Sequence, residues 1–113
     1  MRLDLLENST SNGAGQAREF QGGELELVCS GVFDGAKVHW EGQSQDNGNN
    51  YSGEFQPYLK NLKGDIIEQE GAGRIVVLEC KFPVRIRAVV TNAGANTNIN
   101  CFGDYLARTK KYG

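Results

Sequence analysis

The feature that most constrains this chain is the period of two in its apolar residues. Alternation puts every second side chain on one face of a strand and gives a helix no continuous apolar stripe. Leu25, Leu27, Cys29 and Phe33 fall on one face of the segment Glu24 to Phe33, with Glu24, Glu26 and Ser30 on the other. Val38 and Trp40 alternate with Lys37, His39 and Glu41. Val76, Leu78, Cys80 and Phe82 alternate with Val77, Glu79 and Lys81, and Val84, Ile86, Ala88 and Val90 with Arg85 and Arg87. Ile99, Cys101 and Tyr105 repeat the pattern near the end. The one helical candidate, Glu54 to Glu70, is interrupted by Pro57 and Gly64.

Turn chemistry fits the strands. The chain has 15 Gly against 2 Pro, so it turns with residues that allow positive φ. Phe33-Asp34-Gly35-Ala36 places Asp-Gly between two alternating runs, the signal of a type I′ hairpin. Pairing through that turn would set Cys29 opposite Trp40, Gly31 opposite Val38 and Leu27 opposite Gly42, with both apolar sets on one face. Seven or eight short strands, with turns at roughly 8–12-residue spacing, predict an all-β fold: an antiparallel two-sheet β-sandwich or jelly roll.

At 113 residues the chain has room for one core. The expected division is an N-terminal arm over residues 1–16, flexible or an edge strand, and a sandwich domain over residues 17–113. The stretch Asn8 to Gln16 is polar and glycine-containing, which sets Leu3, Leu5 and Leu6 on a tether. These leucines are the candidate protein-interface residues, docking on a neighbouring subunit by strand addition. On that view, removal of residues 1–8 leaves the fold intact. Gln43 to Asn50 reads as an exposed tip, and Thr91 to Asn98 as a tight polar turn.

A net charge of -2, from 12 Lys+Arg and 14 Asp+Glu, gives no basic face for nucleic acid. No stretch approaches the ~20 apolar residues of a membrane span. Two acids among the first seven residues do not suit a secretory signal, so the chain is expected to fold where it is made. Cys29, Cys80 and Cys101 lack metal-knuckle spacing and are expected as buried free thiols of a reducing cytoplasm. The basic tail of Arg108, Lys110 and Lys111 reads as solvated.

No catalytic, cofactor-binding or metal-binding residue is expected. In the hairpin register His39 would lie opposite Ser30 with Glu41 on the same face. A flat strand face gives such a trio neither a nucleophile elbow nor an oxyanion hole. Glu68, Glu70 and Asp46 lack the spacing of a calcium loop. Cys29, Trp40 and Cys80 follow the Cys–Trp–Cys order of immunoglobulin domains, but the hairpin would make the strands of Cys29 and Trp40 neighbours, and Leu78 stands where those domains carry a tyrosine.

The run Ser30-Gly31-Val32-Phe33-Asp34-Gly35-Ala36-Lys37-Val38-His39-Trp40-Glu41-Gly42, followed by Val84-Arg85-Ile86-Arg87-Ala88-Val89-Val90-Thr91-Asn92-Ala93-Gly94, resembles small β-sandwich virion proteins of tailed, mostly short-tailed, bacteriophages. These share a G-x-F-x-G-A-x-V hairpin and a late V-R-A-V-V strand. The long segments Asn8 to Gln16 and Gln43 to Asn50 depart from that pattern. The resemblance is greatest to head decoration, or cement, proteins. It implies a non-enzymatic protein made in the host cytoplasm and carried on the capsid surface. The implied partner is the major capsid protein of the same phage, and the implied state a homo-oligomer, dimer or trimer, with no cofactor, nucleic acid or membrane. The alternative is a tail- or fibre-associated module binding a host receptor or glycan, for which Tyr51 is the available aromatic residue.

Overall fold

The structure, a computed structural model, describes residues 2–45, 50–51, 53–57, 63–73, 75–80 and 83–105. Strands are β1 (Arg2–Ser9), β2 (Gly13–Ala14), β3 (Arg18–Phe20), β4 (Gly23–Val32), β5 (Lys37–Ser44), β6 (Gln56–Pro57), β7 (Ile75–Cys80), β8 (Val84–Thr91) and β9 (Asn98–Tyr105). They form two antiparallel sheets, the first in the order β1-β9-β4-β7 and the second in the order β2-β8-β5-β6, with β3 also on β8. The fold is a β-sandwich, and no helix occurs among the described residues.

Alternation dictates the packing. Leu25, Leu27 and Cys29 of β4, Val38 and Trp40 of β5, Val84, Ile86, Ala88 and Val90 of β8, and Ile99 and Cys101 of β9 are all buried between the sheets. Burying one large aliphatic side chain contributes roughly 1.5–3 kcal/mol, so this shared interior is the main stabilising term.

The Asp-Gly turn forms as its chemistry requires, but it does not close a hairpin. Asp34 and Gly35 have φ of 49° and 85°, and the Ala36 N–H donates to the Phe33 carbonyl at 2.9 Å. The two strands it joins then enter different sheets: β4 pairs with β9 and β7, whereas β5 pairs with β8 and β6. Cys29 therefore lies opposite Cys101, Trp40 opposite Ala88, Gly31 opposite Ile99, Val38 opposite Val90 and Gly42 opposite Ile86. The expected register is corrected for a physical reason. An arch that carries the chain across the core brings both apolar faces together across the interior, which satisfies the same period-two pattern as a hairpin does within one sheet. With it goes the argument that Cys29 and Trp40 must sit in neighbouring strands, because they occupy opposite sheets.

The turn between β8 and β9 is a second arch, and the two lock together at one end of the sandwich. The Asp34 carboxylate accepts from the Asn96 N–H at 2.9 Å, and Thr97 Oγ1 donates to the Phe33 carbonyl at 2.8 Å. Asn92 Nδ2 donates to the Gly35 carbonyl at 3.0 Å.

Of the two forms expected for the N-terminal segment, a flexible arm or an edge strand, the second is seen. Residues 2–9 are not a tethered arm but the edge strand of the first sheet, paired along β9. A register shift between Asp4 and Leu6 breaks the alternation there, so that Leu5 and Leu6 are both buried, along with Leu3. The leucines expected at an interface with another subunit thus face their own interior. Beyond them the polar segment crosses to the second sheet, where Gly13–Ala14 pairs with β8 and the Gly15 N–H donates to the Ala88 carbonyl at 2.8 Å. Residues 2–15 are therefore shared between both sheets. Cys29 and Cys101 are buried free thiols. The Cys80 side chain, Phe82 and the tail of Arg108, Lys110 and Lys111 lie outside the described residues.

Candidate interaction surfaces

The outward faces of the two sheets differ in charge and in how they are covered. On the second sheet, the outward positions of β5 and β8 carry Lys37, His39, Glu41, Arg85, Arg87 and Val89. Cross-strand register sets Glu41 opposite Arg87, and Arg87 Nε donates to Glu41 Oε1 at 2.8 Å with Nη2 at 2.7 Å from the same oxygen. His39 Nε2 lies 3.3 Å from Glu41 Oε2. Burial opposes ionisation of the Glu41 carboxyl, but the hydrogen bonds from Arg87 and His39 outweigh it and hold the group below the ordinary carboxylate range.

The excursion after β5 returns along the edge of β5 and sets Phe55 and Tyr51 against this face. Gln69 and Val38 exchange backbone hydrogen bonds at 2.7 and 2.9 Å, Phe55 lies under the Arg87 guanidinium at 4.0 Å, and Pro57 sits beside Glu41. Tyr51 donates to Glu19 Oε2 at 2.6 Å, and Arg85 faces its ring at 5.7 Å. Burial and the hydrogen bond to Glu19 push the Tyr51 hydroxyl up to about 12. The cations of this face are thus engaged by residues of the same chain: Arg87 by Glu41, Arg85 by Tyr51, and Lys37 at 4.0 Å from Glu68.

The serine, histidine and acid grouping is taken apart by the arch. His39 and Glu41 do share a face, but Ser30 lies on the first sheet, opposite Asn100. Among the described residues no group of three His, Cys, Asp or Glu converges as metal ligands.

The exterior of the first sheet has a different make-up. Across β1-β9-β4-β7 one row reads Arg2, Asp104, Glu26, Val77, and the next begins Asp4, Phe102, Val28. A further row pairs Glu24 with Glu79. Carboxylates therefore stand directly opposite one another twice, at Asp104–Glu26 and at Glu24–Glu79. Arg2 Nε donates to Asp4 Oδ1 at 3.0 Å while its guanidinium lies over Phe102 at 3.9 Å. Among the described residues, Glu26, Glu79 and Asp104 have no ion-pair partner. Val77 and Val32 are 49% and 54% exposed on this face. Sequence reasoning missed this surface because its residues are scattered from position 2 to position 104 and meet only through the strand order.

Comparisons with models of protein families, with curated proteins and with solved structures find no match to this chain.

Proposed function

We propose that the chain is a structural protein of a tailed-phage virion, a head decoration protein that binds the assembled capsid and stabilises it through protein–protein contacts. Its partner is the major capsid protein, and it acts on the capsid surface as a small homo-oligomer. The observation that supports this reading is the unequal covering of the two sheet exteriors. Side chains of the chain's own excursion reach over one of them, at Phe55 and Tyr51, and the other leaves Val77 half exposed beside Glu26. A body that works by surface contact needs such a face and no pocket. Repetition over a lattice then raises a modest single-site affinity by avidity.

The sandwich also suits the role mechanically. Its two arches are tied to each other by side-chain hydrogen bonds, so that end of the body needs no ordering of those turns on binding. The receptor-binding alternative draws less support. Tyr51 has its hydroxyl on Glu19 and its ring beside Arg85, which leaves it packed rather than offered as a platform.

The test is sedimentation of purified protein with heads and with tails separated from the phage that encodes it. Retention by heads is expected. Retention by tails alone would transfer the protein to the tail-associated reading.

A further inference from the structure

We infer that Cys29 and Cys101 form a latent cross-strand bolt: in oxidising surroundings they join in a disulfide that fastens β9 to β4, and in reducing surroundings they stand open as thiols. Neither state depends on what the protein binds.

The ladder brings the two sulfurs together. Cys29 and Cys101 are direct partners in the β4–β9 register, and both side chains point into the core, at 0% and 1% exposure. Partner residues in an antiparallel ladder are either hydrogen-bonded to each other or not, and the second kind has the closer Cα atoms. Cys29 belongs to the second kind. Its carbonyl accepts from the Gly73 N–H at 3.0 Å, on the side of β7, and in such a sheet the N–H and C=O of one residue point the same way. The hydrogen-bonding groups of Cys29 are therefore turned away from β9. A pair of this kind has Cα atoms about 4.5 Å apart, inside the ~4.4–6.8 Å range of disulfides. A hydrogen bond already joins the Cys29 thiol to Cys101.

The third cysteine is kept away by the same register. Cys80 partners Gly23 at the far end of β4, roughly 20 Å along the strand from Cys29 at ~3.4 Å per residue. Cysteines whose Cα atoms lie more than about 7 Å apart cannot be bridged without backbone movement.

The oxidant is a small-molecule disulfide such as glutathione disulfide. One cysteine, as its thiolate, attacks a sulfur of the oxidant and expels a glutathione thiolate. The other then attacks the protein sulfur of the mixed disulfide and expels the second. Two protein thiols are oxidised to one disulfide, one glutathione disulfide is reduced to two thiols, and these take up both protons. The hydrogen bond to Cys101 and burial keep the proton on Cys29, so closure takes place as β9 parts from β4 and pairs again, not inside the closed core. Once formed, the bond encloses β5, β6, β7 and β8 in a single loop, and a loop of that length strongly restricts the unfolded chain.

The experiment incubates the full-length protein in a glutathione redox buffer at urea concentrations up to its unfolding midpoint, so that parted strands close again in contact with the oxidant. After removal of urea, free thiols are alkylated and the unreduced protein is digested and mapped by mass spectrometry. A peptide linking Cys29 to Cys101 within one chain is expected, together with a melting temperature higher than that of the dithiothreitol-reduced protein by about 5 °C or more. Cys29→Ala should melt at the same temperature in both conditions. Alkylation of both Cys29 and Cys101, a linkage to Cys80 in place of this one, or a linkage between chains overturns the inference. A Cys29–Cys101 bond that leaves the melting temperature unchanged or lowers it also overturns it, as does an equal redox-dependent shift in Cys29→Ala.

Discussion

Cys29 and Cys101 stand directly opposite each other in the β4–β9 ladder, with both thiols sealed in the core. The hydrogen bond to Cys101, and after it burial, push the Cys29 thiol far above its ordinary range. The folded chain therefore holds this proton at pH values where the unfolded chain releases it. The protein loses stability as pH rises above the ordinary thiol pKa, by up to about 1.4 kcal/mol per pH unit for one such group. Urea unfolding at pH 8 and pH 10 is expected to show a larger alkaline loss for wild type than for Cys29→Ala; parallel losses would sink the assignment.

Glu41 gives the opposite sign at low pH. Its carboxyl is held below the ordinary range, so its contribution is fully present above the unfolded carboxylate pKa and is lost as pH falls through the depressed folded value. Glu41→Gln should cost about 1–3 kcal/mol at pH 7 and flatten the melting temperature between pH 5 and pH 3. Arg87→Ala should cost more than Glu41→Gln at pH 7. It strands a carboxylate whose side chain is 17% exposed, whereas the arginine left by the reverse change is 31% exposed and reaches water more easily. Chemical denaturation of the two variants orders them directly.

Two glycines separate backbone strain from steric exclusion. Gly35 has a φ of 85° and open space around it, so Gly35→Ala carries the conformational penalty alone, about 1 kcal/mol. Gly31 has a φ of 103°, and a Cβ there would overlap the Asn98 carbonyl oxygen. Gly31→Ala adds overpacking of about 1–3 kcal/mol to the same strain. Calorimetry should find Gly31→Ala clearly the less stable; equal melting temperatures would show that the β4–β9 approach is looser than described.

The leucines of β1 belong to the core. Leu5→Ala should destabilise by about 2–5 kcal/mol, the range for a buried leucine. Deleting residues 1–8 should leave a chain without cooperative unfolding, because β9 loses its outer neighbour and the core loses Leu3, Leu5 and Leu6. A truncated chain with a wild-type melting curve would refute this and restore the tethered-arm picture.

Much of the sandwich is legible in the sequence because burial has period two in β4, β5, β8 and β9. The alternation marks Leu25 to Cys29, Val38 to Trp40 and Val84 to Val90 correctly. The pairing of those strands is less accessible. Asp34-Gly35 sets local dihedrals, and the same dihedrals serve a hairpin and an arch. Which one forms is decided by β8 and β9, more than forty residues away along the chain. The β1 segment misleads for a related reason: the bulge between Asp4 and Leu6 breaks the period, so that Leu3, Leu5 and Leu6 do not read as one strand face. The acidic exterior had no signal at all, since Asp104 and Glu26 become neighbours only through the strand order.

The place of β9 has a consequence for synthesis. It is the last strand in chain order among the described residues, yet it lies inside the first sheet, between β1 and β4. Until residues 98–105 leave the ribosome, β1 has no ladder partner, and the first sheet is only the β4–β7 pair. The nascent chain must therefore carry exposed core strands until β9 emerges, which makes rapid closure of the first sheet, or a chaperone that shields those strands, a condition of efficient production.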